Sequence, residues 1–284
     1  MRKGRRVDFD VGPVRLAADA YGDAAHPPVV LLHGGGQTRH AWGRTAAALA
    51  ANGRYALAVD LRGHGDSDWA PDADYSLDAF ARDLIGLERQ LPSKPAVVGA
   101  SLGGLATLVA QGEHPEQPAS AVVLVDIAPR VDAAGVGRII TFMTAHPDGF
   151  ATLEEAADAV GGYVRHRPRP RDLSGLKKNL RLGADGRYRW HWDPRFIDGK
   201  RAPDSVRNPE RLERAARAIT VPTLLVRGRQ SDVVSEVGAR AFLDLVPHAR
   251  WVDVSGAGHM VAGDQNDPFT DAVVRFLDEV TPRG

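Results

Sequence analysis

Cysteine is absent from this 284-residue sequence, and aromatic residues make up only 6% of it. The absence of cysteine excludes disulfide bridges, a thiolate nucleophile and cysteine-ligated zinc, and it leaves the redox compartment open. An excess of charge of one sign is also lacking, since 36 lysines and arginines balance 36 aspartates and glutamates. We therefore expect no bulk attraction to nucleic acid or to an anionic membrane surface.

Long hydrophobic runs are lacking as well. No apolar stretch in the sequence approaches the roughly 20 residues that a membrane-spanning helix requires. The basic residues 1–6 pass directly into Val7-Asp8-Phe9-Asp10, without the apolar region of a signal peptide. We therefore predict a cytoplasmic protein that binds no membrane.

The sequence does contain a series of short apolar runs that are rich in β-branched residues. These runs do not alternate with polar residues, which is typical of strands covered by helices on both faces, and they predict a mainly parallel sheet. The predicted strands are Val29–Leu32, Ala56–Val59, Ala96–Val98, Val122–Val125, Thr223–Val226 and Trp251–Val254, with an antiparallel first strand over Val14–Ala20.

Helical periodicity separates the predicted strands. One apolar helical face begins after Ser76, which is a predicted N-cap, and a second apolar face belongs to the last predicted helix. The first face contains Leu77, Phe80, Ala81, Leu84 and Leu91, and the second contains Phe269, Val273, Phe276, Leu277 and Val280.

The alternation of strand and helix stops between Pro129 and Ala216. This stretch contains helix signals, such as the capping-box spacing of Thr152–Glu155, but no strand signal. We predict a helical cap over 129–216 and an α/β core over 1–128 and 217–284. Such a cap would cover the carboxyl ends of the strands, where α/β sheets bind ligands. Its basic run Arg165–Arg171 is interpreted as a solvated face rather than a site for an anionic acyl group.

The segment Gly99-Ala100-Ser101-Leu102-Gly103 lies between a predicted strand and a predicted helix. The pattern G-x-S-x-G in that setting is typical of a nucleophile elbow, a sharp turn that exposes the serine hydroxyl. Glycines two residues on either side of the serine allow the strand and helix to approach closely. We predict that Ser101 is a catalytic nucleophile.

A serine hydroxyl needs a neighbouring base, and the base needs a carboxylate that orients it. His259 follows the last predicted strand and is the predicted base. Asp232, in the loop after the strand Thr223–Val226, is the preferred carboxylate, and with it the chain order is serine, acid and histidine, that of one known triad arrangement. Asp126, at the end of the strand Val122–Val125, remains the alternative.

The run His33-Gly34-Gly35-Gly36 follows another predicted strand and exposes backbone N–H groups without side-chain obstruction. We predict that the N–H groups of Gly35 and Leu102 form an oxyanion hole, with Gly36 as a third donor and a substrate-binding residue. A phosphate-binding loop is excluded, because no Gly-Lys-Ser/Thr follows and the G-x-G-x-x-G spacing is not met.

The densest aromatic cluster, Tyr188–Pro194, falls within the predicted cap. Its Trp190 and Trp192 either form apolar walls of the substrate pocket or pack the cap onto the core, and we take them as candidate substrate-binding residues. No spacing of histidine and carboxylate residues indicates a metal site, so we expect neither a metal nor a cofactor.

Taken together, these residues resemble the α/β-hydrolase superfamily over nearly the whole chain. Asp60-Leu61-Arg62-Gly63-His64-Gly65-Asp66-Ser67 matches the family's D-x-R-G-x-G-x-S loop, and Trp42 matches an aromatic common after the His-Gly motif. The run from Leu31 to Ser67 is similar to the epoxide-hydrolase and haloalkane-dehalogenase branch, whose nucleophile is an aspartate. Because Ser101 stands at that position, the resemblance implies a serine member of the branch.

We therefore predict an α/β-hydrolase fold and a serine hydrolase that cleaves a carboxylic ester or lactone through an acyl-enzyme. Its partner is a small-molecule substrate, without nucleic acid or membrane, and the chain is a monomer or homodimer. The alternatives are a C–C bond hydrolase, a perhydrolase or a lyase of the same fold, or a ligand-sensing signalling protein.

Overall fold

The structure is a computed structural model that describes residues 4–114, 119–163, 173–198, 208–255, 258–259 and 267–281. Its main sheet has eight strands in the order β1-β2-β4-β3-β5-β6-β9-β10. The strands β3 to β6, β9 and β10 are parallel, and β1 and β2 pair antiparallel at one edge. The bounds are β1 (Arg5–Asp10), β2 (Arg15–Tyr21), β3 (Pro28–Leu32), β4 (Tyr55–Val59), β5 (Ala96–Ala100), β6 (Ala121–Val125), β9 (Thr223–Gly228) and β10 (Arg250–Val254).

Helices cover both faces of this sheet, as the non-alternating strands predict. In β3, Val29 and Leu31 pack on one helical layer, and Val30 and Leu32 pack on the other. The first layer contains α1 (Gly43–Ala51) and α10 (Asp267–Val280), and the second contains α2 (Leu77–Glu88), α3 (Leu102–Glu113), α8 (Pro209–Ala218) and α9 (Glu236–Leu245). Ser76 caps α2 as predicted, because its side chain accepts a hydrogen bond from the N–H of Ala79 (3.3 Å).

The chain between β6 and β9 departs from this pattern and carries the elements of the predicted cap. They are α4 (Ala133–Thr144), α5 (Leu153–Tyr163), α6 (Ser174–Lys177), β7 (Leu180–Leu182), β8 (Tyr188–Trp190) and α7 (Arg195–Asp198). We call residues 133–198 the insertion. Thr152 caps α5, since its Oγ1 accepts from the N–H of Glu155 at 3.1 Å.

Three sequence expectations about these elements are wrong in detail. The strand β1 precedes the antiparallel strand that was expected to be first. The stretch 129–216 was expected to contain no strand, yet β7 and β8 pair there as an antiparallel hairpin. Helix α8 was placed in the cap, but its Leu212 and Ala216 are buried in the main core beside α3.

Parallel strands bring the loops after their carboxyl ends to one edge of the sheet. The loops after β3, β5, β6, β9 and β10 therefore share an edge, and all the residues predicted for catalysis lie in these loops. Among the helices described, none is long and apolar enough to cross a membrane. The predicted solvated run Arg165–Arg171 lies outside the described residues.

Candidate active site

Ser101 lies between β5 and α3 in a strained turn. Its backbone has φ +46° and ψ −112°, a conformation that costs free energy for a residue with a Cβ. The flanking glycines make the turn possible: a Cβ on Gly99 would lie 2.5 Å from the Gly103 oxygen, and one on Gly103 would lie 2.6 Å from Leu32 Cβ. The predicted local geometry of the elbow is present.

His259, in the loop after β10, lies between a serine and a carboxylate. Its Nε2 is 3.1 Å from Ser101 Oγ, and its Nδ1 is 2.7 Å from Asp126 Oδ2. In the neutral tautomer that satisfies both contacts, Nδ1–H donates to Asp126 and Nε2 accepts the hydroxyl proton of Ser101. An imidazole held in this way is oriented to remove a proton from the serine hydroxyl.

Asp126 follows β6 and is fully buried, with a left-handed φ of +50°. Besides His259, the N–H of Gly228 donates to its Oδ1 (2.9 Å), and the hydroxyl of Ser231 donates to its Oδ2 (2.5 Å). Ser231 is itself fixed, because its Oγ accepts from the N–H groups of Val233 and Val234, both at 3.1 Å. The loop after β9 thus supplies the hydroxyl that holds the carboxylate.

The contact predicted between Asp232 and His259 is wrong. Asp232 is half exposed, and its Oδ2 accepts hydrogen bonds from Nε (3.1 Å) and Nη2 (2.7 Å) of Arg138 on α4. It is Asp126, the alternative, whose carboxylate meets the imidazole. The neighbouring Ser231 turns inward instead of Asp232, so the loop after β9 meets the site through a hydroxyl.

The glycine run after β3 lies directly against the elbow. A Cβ on Gly34 would lie 3.3 Å from Ser101 Cβ, and the N–H of Gly103 donates to the His33 oxygen (3.2 Å). Leu102 is the first residue of α3, so its N–H has no acceptor within the helix. Within the described ranges, no protein acceptor is found for the N–H of Leu102 or of Gly35.

The structure does not place the N–H of Gly36 as a third donor to the oxyanion. Its N–H already donates to His64 Nε2 at 3.1 Å, so it is not free for a substrate oxygen. Its φ of +75° requires glycine, and a Cβ there would lie 2.9 Å from Met143 Cε and 3.2 Å from Trp192 Cζ3. Gly36 therefore lies where the glycine run packs against the insertion.

Aromatic and thioether side chains of the insertion cover the glycine run. Trp192 lies beside Gly36, and the ring of Phe196 lies 3.4 Å from the position of a Gly35 Cβ. The ring of Trp190 is stacked on that of Trp192, with the ring centroids 5.0 Å apart. The structure thus brings Trp192 to the glycine run, and Trp190 packs against Trp192.

Sequence reasoning missed Phe196 and Met143, which also border the glycine run. Phe196 belongs to the four-residue helix α7, which is too short to show a period. Met143 lies at the end of α4 as one of many apolar residues on that helix. Neither position carries a motif that separates it from ordinary core packing.

The motif Asp60–Ser67 contacts the glycine run through His64 and is not part of the Ser101–His259–Asp126 arrangement. Arg62 forms a buried ion pair with Asp83, with Nε 2.6 Å from Oδ2, and Ser67 Oγ donates to the Asp60 oxygen (2.6 Å). His64 at the centre of the motif accepts the N–H of Gly36. Within the described ranges, no group of three or more His, Asp or Glu side chains is arranged to hold a metal ion.

Comparisons with known proteins agree with this fold. A family model described as the alpha/beta hydrolase family matches residues 29–272. An esterase of Mycobacterium tuberculosis is 30% identical over 272 residues, which cover 93% of this chain and 86% of the esterase. The 3-hydroxybutyrate-oligomer hydrolase of Cupriavidus necator is 30% identical over 258 residues, which cover 86% of this chain and 87% of that hydrolase.

A solved structure extends the agreement to three dimensions. The crystal structure of E-2-(acetamidomethylene)succinate hydrolase matches with a TM-score of 0.85 at 24% identity, over 97% of this chain and 99% of that one. At this identity the match is evidence of the fold alone. The chain belongs to the alpha/beta hydrolase family, which confirms the resemblance and the expected fold, and it is an enzyme of the α/β-hydrolase class.

Proposed function

We propose that this enzyme is a serine esterase that cleaves a carboxylic ester or lactone through an acyl-enzyme. The proposal rests above all on one observation: His259 lies 3.1 Å from Ser101 Oγ and 2.7 Å from Asp126 Oδ2. The esterase and the oligomer hydrolase among its relatives support a carboxylic ester as the bond that is cleaved.

In the first half-reaction, Ser101 Oγ attacks the ester carbonyl while its proton passes to His259 Nε2. The imidazolium that forms is stabilised by Asp126, which keeps the ring oriented. The tetrahedral intermediate collapses, the C–O bond to the alcohol breaks, and the leaving oxygen takes the proton from His259. The acyl group is then bound to Ser101 as an ester.

In the second half-reaction, water gives a proton to His259 and attacks the acyl carbonyl. The bond to Ser101 Oγ breaks, Oγ recovers the proton, and the carboxylic acid leaves. In both steps negative charge develops on the former carbonyl oxygen, and the N–H groups of Gly35 and Leu102 stabilise it. Fixed donors of this kind need no reorganisation during the reaction, which is why they lower the barrier.

The insertion acts as a cap that selects the substrate. Trp192, Phe196 and Met143 present apolar surface to the glycine run, and each is less than 10% exposed. Such a wall favours an apolar acyl or alcohol group over a charged one, since it offers no partner to a charge. The acyl or alcohol group next to the scissile bond of the substrate is therefore uncharged.

The direct test is Ser101→Ala, measured with a series of p-nitrophenyl esters and lactones. Removing the nucleophile of a triad lowers kcat by about 10⁶-fold in the best-studied case, and we expect a loss of at least about 10⁴-fold here. A fluorophosphonate probe should label the wild type once per chain and leave the variant unlabelled. A folded variant that retains the wild-type rate would contradict the mechanism.

The same measurements separate the alternatives. An initial burst of p-nitrophenol equal to the enzyme concentration supports the acyl-enzyme. Stoichiometric labelling of Ser101 without turnover of any ester or lactone would instead favour C–C bond cleavage, a lyase or a ligand sensor.

A further inference from the structure

Three buried histidines form a row between the glycine run, the loop after β4 and the insertion. The ring centroids of His33 and His64 are 5.2 Å apart, and those of His64 and His191 are 5.8 Å apart. All three side chains are at most 2% exposed. His33 and His64 belong to the sequence motifs, whereas His191 comes from the insertion, directly after β8.

Each imidazole in the row both donates and accepts hydrogen bonds with the backbone. His33 Nδ1–H donates to the Gly34 oxygen (2.8 Å), and His33 Nε2 accepts from the N–H of Leu61 (3.0 Å). His64 Nδ1–H donates to the Arg62 oxygen (2.9 Å). Burial lowers the pKa of His33 to about 4 and the pKa of His64 to about 3, so both are neutral and their tautomers are fixed.

His191 makes the same kind of contact from the insertion. Its Nδ1 accepts from the N–H of Gly65 (2.7 Å), and its Nε2–H donates to the oxygen of Gly36 (3.3 Å). Burial also lowers the pKa of His191 well below its usual value, so the ring is neutral. One ring of the insertion therefore connects the Asp60–Ser67 loop to the glycine run.

Both peptide groups of Gly36 are held by imidazoles. Its N–H donates to His64 Nε2, and its oxygen accepts from His191 Nε2–H. Gly36 is the third residue of a turn closed by the N–H of Gln37 and the oxygen of Gly34 (3.1 Å), and its φ of +75° is that of a type II turn. The two imidazoles therefore fix the two peptide groups that follow Gly35 in this turn.

We propose that His191 is a positioning residue that holds the Gly34–Gln37 turn with the N–H of Gly35 directed at the oxyanion. The proposal rests on the proposed esterase function, because Gly35 has a role only if an oxyanion forms beside Ser101. It makes the insertion part of the catalytic geometry as well as of substrate selection. Since His191 would act on a donor used in the transition state, its loss should lower kcat more than it changes KM.

Three substitutions of His191 separate its two hydrogen bonds. His191→Phe keeps a ring of similar size and removes both bonds. In His191→Gln the amide nitrogen reaches the region of Nε2 and can donate to Gly36, whereas in His191→Asn the side-chain oxygen replaces Nδ1 and can accept from Gly65. The order of activity among the three shows which bond matters.

We expect His191→Phe to lower kcat about 10- to 100-fold, somewhat less than the 10²- to 10³-fold loss of a deleted oxyanion donor. Its KM should change by less than about threefold on the same ester. His191→Gln should recover most of the kcat, and His191→Asn should recover little. A trifluoromethyl ketone, which forms an oxyanion on Ser101, should lose affinity for His191→Phe in parallel with kcat.

Tyr75→Phe is the matched control. It also removes two buried hydrogen bonds, one from Tyr75 Oη to Asp193 Oδ2 of the insertion (2.6 Å) and one from the N–H of Ala70 to Tyr75 Oη (3.0 Å), and neither involves Gly36. We expect this variant to keep kcat within about threefold of wild type. An equal fall in kcat for Tyr75→Phe would assign the effect to general loosening of the insertion and overturn the proposal.

Other outcomes are equally decisive. Recovery by asparagine but not glutamine would assign the role to Gly65 and overturn the proposal, and so would a rise in KM at unchanged kcat. If His191→Phe does not fold, the comparison of glutamine with asparagine still decides between the two bonds. If wild type is neither labelled by fluorophosphonate nor active on any ester, the esterase proposal fails; if it is labelled and active while His191→Phe keeps its kcat, only the role of His191 fails.

Discussion

The carboxylate of Asp126 has hydrogen-bond donors on both oxygens. Gly228 donates to Oδ1, while Ser231 and His259 donate to Oδ2. A buried carboxylate with its oxygens occupied has one orientation available, so the imidazole bonded to it is fixed as well. The geometry therefore predicts that Asp126, rather than Asp232 in the loop after β9, sets the tautomer of His259.

We predict that Asp126→Asn lowers kcat by about 10⁴-fold, the loss seen when an amide replaces the acid of a serine-protease triad and favours the wrong tautomer. Asp232→Asn is the matched control, because it makes the same chemical change in an exposed carboxylate that pairs with Arg138. We expect Asp232→Asn to stay within about threefold of wild type. Steady-state kinetics on one ester, with circular dichroism to establish folding, measures both.

The opposite ranking, with both variants folded, would return the acid to Asp232. The sequence left this choice open for a physical reason: the loops after β6 and β9 end at the same sheet edge, and each carries an aspartate. What decides between them is which side chain turns inward. Ser231 bonds to Asp126 and Arg138 draws Asp232 outward, and both contacts come from side chains distant in sequence.

At the scale of elements, two aromatic side chains of the insertion, Trp192 and Phe196, pack against the glycine run. Trp192 lies beside Gly36, while Phe150 packs edge-on against Trp190 with ring centroids 5.2 Å apart, in a separate small cluster within the insertion. Two aromatic residues of one segment thus differ in their distance from the proposed oxyanion hole. That difference provides a test of substrate selection.

We predict that Trp192→Phe shifts the preference for acyl chain length toward longer or bulkier esters. The smaller ring leaves space beside Gly36, and one methylene in an apolar pocket is worth about 1–3 kcal/mol between substrates. The relative kcat/KM of a longer ester should therefore rise roughly 10-fold or more against a short one. The measurement is kcat/KM across p-nitrophenyl esters of graded length.

Phe150→Leu is the control for this comparison, since it also trims an aromatic side chain of the insertion, but one that belongs to a separate cluster with Ala156 and Leu180. It should preserve the wild-type order of esters. An unchanged order in Trp192→Phe would show that Trp192 only packs the insertion on the core.

Elements differ in how well their sequences predicted them. The strands β3, β5, β6 and β9 are buried on both faces, so their composition alone identifies them. The hairpin β7–β8 has three residues in each strand, of which only Leu180 is buried, so no pattern marks it. Local sequence predicts an element when burial imposes a pattern on it, whereas the hairpin β7–β8 is packed by a residue distant in sequence, Phe150.

For the whole molecule, buried titratable groups determine how stability varies with pH. His33, His64 and His191 are neutral in the folded chain because burial lowers their pKa values from a usual 6.5. The unfolded chain binds protons at these positions as the pH falls below about 6.5, and the folded chain does not. These three groups therefore stabilise the fold fully above about pH 6.5, and their contribution is lost as the pH falls through their lowered pKa values, about 4 for His33 and about 3 for His64.

Glu88 acts in the opposite direction. Its side chain is buried between α2 and α3, where Gln111 Nε2 donates to its Oε1 (3.0 Å), and burial raises its pKa to about 8 from a usual 4.5. Between those two pH values the folded chain keeps a proton that the unfolded chain has released. Stability from this group is therefore present below about pH 4.5 and declines as the pH rises to about 8.

We predict a maximum in the free energy of unfolding near pH 6.5, measured by urea denaturation. Below it, the three buried histidines, joined by His40, whose pKa is also lowered by burial, outweigh one glutamate. Above it, Glu88 causes the decline, and each group changes the unfolding equilibrium by up to about tenfold per pH unit. Glu88→Gln should remove the decline between pH 6.5 and 8 and keep the acid limb. Glu236→Gln, the same change on the exposed side of α9, should follow wild type throughout. Parallel profiles for Glu88→Gln and wild type up to pH 8 would mean that Glu88 releases its proton equally in the folded and unfolded chains, contrary to its burial.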